Sequence, residues 1–126
     1  MNKDIKLALI LSSLFLFLAV LLGAFGAHVL SSSLSEKAMK TFETGIKYQF
    51  YHGFALLILA TLHTRVVQLK PKWTYRLFTI GIILFSFNCY LYAFSSVKTF
   101  AMIVPLGGLA FLAGWLNLAY RFKKDL

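Results

Sequence analysis

The chain carries four long apolar stretches, at about residues 7–28, 46–65, 73–95 and 99–120, separated by short polar connections. Each approaches the roughly 20 residues that an α-helix needs to cross a hydrocarbon core about 30 Å thick. In lipid no water pairs with backbone amides and carbonyls, so a span must satisfy them internally, as a helix or a closed barrel does. The runs lack the residue-by-residue alternation of barrel strands. The expectation is therefore an all-α integral membrane protein. Four transmembrane helices form a compact bundle in a single domain over residues 1–126, with a short interfacial amphipathic helix at about 34–44 between spans one and two.

Composition points the same way. Hydrophobic residues make up 60% of the chain and mean hydropathy is +0.77, above the range of soluble domains. Its 13 basic and 4 acidic residues gather at or near the ends of the apolar runs, as they should when a bare charge at mid-bilayer costs about 2.5 to 3.5 kcal/mol. The single cysteine, Cys89, permits no internal disulfide, which excludes thiol oxidoreductases that work with paired cysteines. A net charge of +9 would suit nucleic acid only if the basic residues formed a face or stripe. They mark segment ends instead, so no nucleic-acid partner is expected and the charge suits anionic head groups of membrane lipids.

Orientation follows from Lys and Arg. Lys3, Lys6, Arg65, Lys70, Lys72, Arg76, Arg121, Lys123 and Lys124 fall on one side, and Lys37, Lys40, Lys47 and Lys98 on the other, nine against four. The positive-inside rule then puts both termini in the cytoplasm of a multi-pass protein. Lys3 and Lys6, the apolar run and Ala24-Phe25-Gly26 also have the outline of a cleavable leader, but the run exceeds the usual core of about 7 to 15 residues. It is expected to stay as a span.

In the first connection, Ser33-Leu34-Ser35-Glu36 has the pattern of a capping box, with Ser33 as cap and Glu36 reaching back. Leu34, Ala38 and Phe42 then share one face, and Thr44-Gly45 offers a place to bend before the second span. Small residues predict packing seams: Ala19, Gly23 and Ala27, narrowed by Gly26, in span one, and Gly107, Ala110 and Gly114 in span four. Val104-Pro105 is expected to interrupt the early turns of span four.

Polar residues coincide in depth. With the second span entering the membrane at about Ile46, Gln49 lies roughly 5 Å and His52 roughly 9 Å below the outer boundary at 1.5 Å per residue. Ser86, Asn88 and Tyr90 occupy the outer half of span three, and His28 ends span one at the outer surface. Gln49 and His52, three apart, share a helix face, as do Tyr48 and His52, four apart; Glu43 joins them only if the chain breaks near Gly45. The candidate ligand-binding set is His28, Glu43, Tyr48, Gln49, His52, Ser86, Asn88 and Tyr90. His28, His52 and Glu43 have no spacing that marks a metal site, and Ser86 and Cys89 show no activating base. No catalytic residue, metal or cofactor is therefore expected.

"GAFGAH" at 23–28, "FETG" at 42–45, "YQFYH" at 48–52, "FS" at 85–86 with Tyr90, Pro105 before Gly107-Gly108, and "GW" at 114–115 together resemble the bacterial membrane family catalogued as domain of unknown function four hundred twenty-three. The resemblance covers nearly the whole chain and implies a small four-helix protein of the bacterial inner (plasma) membrane with no assigned activity. His28, Glu43, Gln49 and His52 match it. Phe87 and Asn88 stand where the family more often has Gly and Ser, and Val104 where it has Thr.

The functional expectation is a non-enzymatic membrane protein whose outer-leaflet cluster binds a lipid head group, a small amphiphile or a partner helix. Two rivals are a purely structural or accessory subunit, and a minimal transporter or proton pathway using His52. Small-residue seams on short spans also suggest a homo-oligomer or a partner membrane protein.

Overall fold

The computed structural model describes residues 1–126, and every regular element is helical. Helix α1 spans Lys3–His28, a 3-10 turn follows at Leu30–Ser32, and α2 spans Glu36–Arg65. Helix α3 is Lys72–Ser95, with a π-helical segment at Ile82–Phe87, and α4 is Lys98–Asp125. Three of these, α1, α3 and α4, are long and apolar enough to cross a membrane.

Helix α1 starts on Asn2, whose side-chain oxygen accepts from the Asp4 amide at 2.7 Å, and the Asp4 charge suits the positive end of the helix dipole. One stripe is buried, Ile5, Ala8, Ser12, Phe15, Ala19 and Gly26, at spacings that keep a single helix face toward the protein. The remaining surface, including Leu14, Phe17 and Val20, is exposed and apolar.

Helix α2 departs from expectation in two respects. Its cap is Ser35, not Ser33: the Ser35 hydroxyl accepts from the Ala38 amide at 3.1 Å, while the Ser33 hydroxyl donates to the Val29 carbonyl. The chain leaves α1 through the 3-10 turn, and Ser35 is the residue with the extended backbone that a cap needs. Glu36 is thus the first helical residue, too early to reach back in a capping box. Nor is there a separate helix at 34–44, because α2 runs unbroken through Thr44 and Gly45.

Gly45 serves closeness, not bending: a Cβ there would stand 2.7 Å from the Tyr90 ring and 2.9 Å from the Cys89 Cβ. The early turns of α2 still pack. Phe42 is fully buried against Gly26 of α1, where a Cβ would lie 2.6 Å from its ring, and Leu30, Tyr90 and Ala93 complete a small apolar cluster.

The main core lies between the helices and includes Phe15, Leu56, Leu59, Phe78, Ile82, Phe111 and Leu118. Helices α3 and α4 meet through glycines: Gly81 accommodates Phe111, and Gly114 accommodates Phe78, whose ring would lie 2.7 Å from an added Cβ. Gly107 approaches closest, against the backbone of Phe85 inside the π-helical segment. Helix α4 runs continuously through Pro105, contrary to the expected interruption. Proline is tolerated inside membrane helices when neighbouring groups compensate, and the close packing of Gly107 and Phe111 begins just after it. The two-residue joint to α3 places Ser96 in the left-handed region, at φ 57°. At the far end Asp125 accepts from the Lys70 amide at 2.8 Å, tying the tail to the connection between α2 and α3.

Candidate functional site

Gln49 and His52 of α2 face inward and between them bridge to every other helix. Gln49 is fully buried. Its amide nitrogen donates to the Phe15 carbonyl of α1 at 2.7 Å, and its amide oxygen accepts from the Tyr90 hydroxyl of α3 at 2.6 Å. One side chain thus joins three helices. The contact on α1 is possible because Ala19, one turn beyond Phe15, is small enough to leave that carbonyl approachable. Ser86 adds a second tie by donating to the Gly45 carbonyl at 2.7 Å, which the absent side chain at Gly45 and the π-helical turn around Ser86 both favour.

His52 sits on the same face of α2 but looks toward α4. Its ring stacks on Phe111 with centroids 3.5 Å apart. The Nδ1 atom lies 2.8 Å from the Tyr48 carbonyl, and Trp115 donates its indole N–H to Nε2 at 3.1 Å. Since Nε2 accepts, the proton belongs on Nδ1, and the neutral ring has both nitrogens engaged.

The remaining candidates are not drawn into this network. Asn88 is buried but donates to the carbonyls of Leu84 and Ile83 in its own helix, at 2.9 and 3.4 Å. That local bonding suits the loosened hydrogen-bond pattern of the π-helical segment just before it. Tyr48 contributes its carbonyl, and its ring is partly exposed. His28 and Glu43 are exposed, and no group of three or more His, Cys, Asp or Glu side chains converges on a metal-binding geometry. Glu43 lines a cavity of about 230 Å³ with Gly23, Ala27, Met39 and Phe42 instead.

The small residues divide similarly. Ala19, Gly26, Gly107 and Gly114 are buried at helix contacts. Gly23 has nothing within 4 Å of an added Cβ, Ala27 is exposed and Ala110 half-buried. On α1 the buried face is therefore the Ala8–Ser12–Phe15–Ala19–Gly26 stripe, one that mixes large and small residues.

Four contacts carry no obvious sequence signal. The Phe15 acceptor is a backbone atom, invisible to any reading of side chains. Trp115 stands among membrane-facing aromatics, and only its place beside Gly114 hints at a turn toward the protein. Two further pairs cross helices near the opposite end of the bundle: Thr74 donates to the Asn117 amide oxygen at 2.8 Å, and His63 Nδ1 lies 3.0 Å from the Tyr75 hydroxyl. Sequence depth alone suggests that His63 and Asn117 need partners, but not which ones.

Residues 22–108 match the family described as a protein of unknown function, DUF423. An UPF0382 membrane protein of Staphylococcus haemolyticus is 38% identical over 90% of this chain and 92% of its own length. The UPF0382 inner membrane protein YgdD of Escherichia coli is 38% identical over 94% of this chain and 93% of its own. No solved structure matches. With its apolar helices and relatives named as membrane proteins, the chain belongs to this family of bacterial membrane proteins of unknown function.

Proposed function

We propose that the chain is a four-span inner-membrane protein, with both termini cytoplasmic, that acts as a non-enzymatic accessory or binding component, and that its polar cluster fastens the bundle. The observation that carries this reading is internal pairing: the Gln49 amide donates to Phe15 and accepts from Tyr90, and both ring nitrogens of His52 have partners within the chain. A ligand at the cluster, or a proton relay through His52, would have to displace one of those partners. Chemistry and binding therefore belong to surfaces outside the network, where surrounding lipids, a second copy or another membrane protein meet the exposed apolar faces of α1 and α4.

The fourth span is α2. Its hydropathy is lowered by Gln49, His52 and His63, yet all three are buried, and its outward side presents Phe54 and Ile58, 49% and 66% exposed. A helix of 30 residues extends about 45 Å at 1.5 Å per residue, enough to cross. The Lys and Arg distribution supports the orientation.

The test is His52→Leu, read by native mass spectrometry from lipid and by thermal unfolding. Fastening predicts a lowered unfolding temperature with an unchanged set of retained molecules. Loss of a co-purifying molecule from a variant that unfolds at the wild-type temperature would refute it.

A further inference from the structure

The bundle has a crevice of about 270 Å³ between α1 and α3, away from the polar network and assigned no role above. Its walls are two facing helical stripes. Asp4, Leu7 and Leu11 follow one another at helical spacing on α1, and Lys72, Arg76, Thr79 and Ile80 do so on α3. The floor is the buried Leu56 of α2. Because α1 and α3 are parallel in a bundle of antiparallel neighbours, both stripes are charged at the same end. Each turns apolar one to two turns deeper.

We infer that this crevice binds one phosphatidylglycerol molecule of the cytoplasmic leaflet, phosphodiester at the Lys72 and Arg76 heads and an acyl chain along Leu7, Leu11, Leu56 and Ile80. Amphipathic order along the crevice matches that of a lipid, charged at the mouth and apolar within. Two cationic heads against one carboxylate leave a single positive charge, which balances one phosphodiester and not a doubly charged monoester. The Asp4 carboxylate offers hydrogen-bond acceptors at the mouth, and the glycerol hydroxyls of this head group are donors. The dipoles of α1 and α3 both present their positive ends here.

Thr79 adds one polar group to the otherwise apolar depth of the α3 wall. Ser12, Ser13, Thr61 and Thr64 all donate to carbonyls of their own helices, whereas the Thr79 hydroxyl in the crevice wall has no such bond. Arg76 is held at the mouth by Trp73, its guanidinium 5.0 Å from the ring centroid. A lipid ester oxygen just below the phosphate would lie beside Thr79.

The inference rests on α1 and α3 being spans that start at the same membrane face, and not on the fastening role of the polar network. The experiment uses the full chain in nanodiscs of phosphatidylcholine containing a minor fraction of phosphatidylglycerol, with retained lipid read by native mass spectrometry. One phosphatidylglycerol per chain should persist. A Lys72→Gln/Arg76→Gln variant should retain it about tenfold less or worse, since it loses charge-assisted bonds, while unfolding at the wild-type temperature in discs without phosphatidylglycerol, because both heads are exposed. Thr79→Phe, which fills the crevice and leaves the charges intact, should also lose it. Equal retention by the charge variant overturns the inference, as does equal retention of phosphatidylcholine or of phosphatidylethanolamine in a matched disc. A Gln49→Leu variant that is destabilised yet still holds phosphatidylglycerol separates this site from the network.

Discussion

Replacing Gln49 by Leu, nearly the same size, removes two interhelical hydrogen bonds and leaves the Tyr90 hydroxyl buried without a partner. Interhelical bonds in membrane proteins contribute about 0.6 kcal/mol each on average, and an orphaned buried hydroxyl costs about 1 to 3 kcal/mol. The single variant should therefore lose about 2 to 4 kcal/mol. The Phe15 carbonyl adds little, because it keeps its place in the α1 ladder. Tyr90→Phe loses one bond and orphans the Gln49 oxygen, a cost of about 1.5 to 3.5 kcal/mol on the same scales. In the double variant neither group is orphaned. Its destabilisation should fall short of the sum of the singles by about 1 kcal/mol or more, well beyond the usual additivity error of about 0.3 to 0.5 kcal/mol. Reversible unfolding in mixed micelles, followed by far-ultraviolet circular dichroism, gives all three values. Additive effects, or single variants as stable as the wild type, would refute the reasoning.

Neighbouring glycines give a sharp contrast. Gly107→Ala drives a methyl group into the backbone of Phe85 and should cost about 2 kcal/mol or more, whereas Gly108→Ala, whose nearest contact is 3.9 Å away, should be neutral or gain up to about 1 kcal/mol of helix propensity; thermal unfolding of the pair decides. Gly23→Ala should likewise stabilise, because the site is open. Ser96→Gly relieves a left-handed backbone in a residue with a Cβ and should raise stability by about 1 kcal/mol in the same assay. Trp115→Phe removes the donor to His52 Nε2 and should cost about 1 kcal/mol in the same assay.

Much of the helical plan can be read from the apolar runs, since lipid permits few alternatives to a helix. The start of α2 could not be, because the choice between Ser33 and Ser35 as cap depends on how the 3-10 turn places Leu30 in the small core. Gly45 shows a related limit. A glycine at the junction of an amphipathic stretch and an apolar one reads as a hinge, and only the Tyr90 and Cys89 contacts identify it as a point of close approach. Helical spacing put Gln49 and His52 on one face, and it did so irrespective of partners. It could not show that they turn to different neighbours, since their directions depend on how α1, α3 and α4 are arranged around α2. The small-residue stripe on α1 illustrates the opposite error. Residues every four positions drift around a helix with 3.6 residues per turn, so Ala19 stays buried while Ala27 has rotated out.

The proposed fourth span, α2, would cross the membrane with Gln49, His52 and His63 turned into the interhelical network. Single cysteines at the exposed positions Asn2, Ser33, Gln68 and Thr99, probed with a membrane-impermeant maleimide in intact and permeabilised cells, test it directly; Cys89 is buried and stays silent. Ser33→Cys and Thr99→Cys should react in intact cells, and Asn2→Cys and Gln68→Cys only after permeabilisation. If Ser33→Cys and Gln68→Cys react from the same side, α2 does not span.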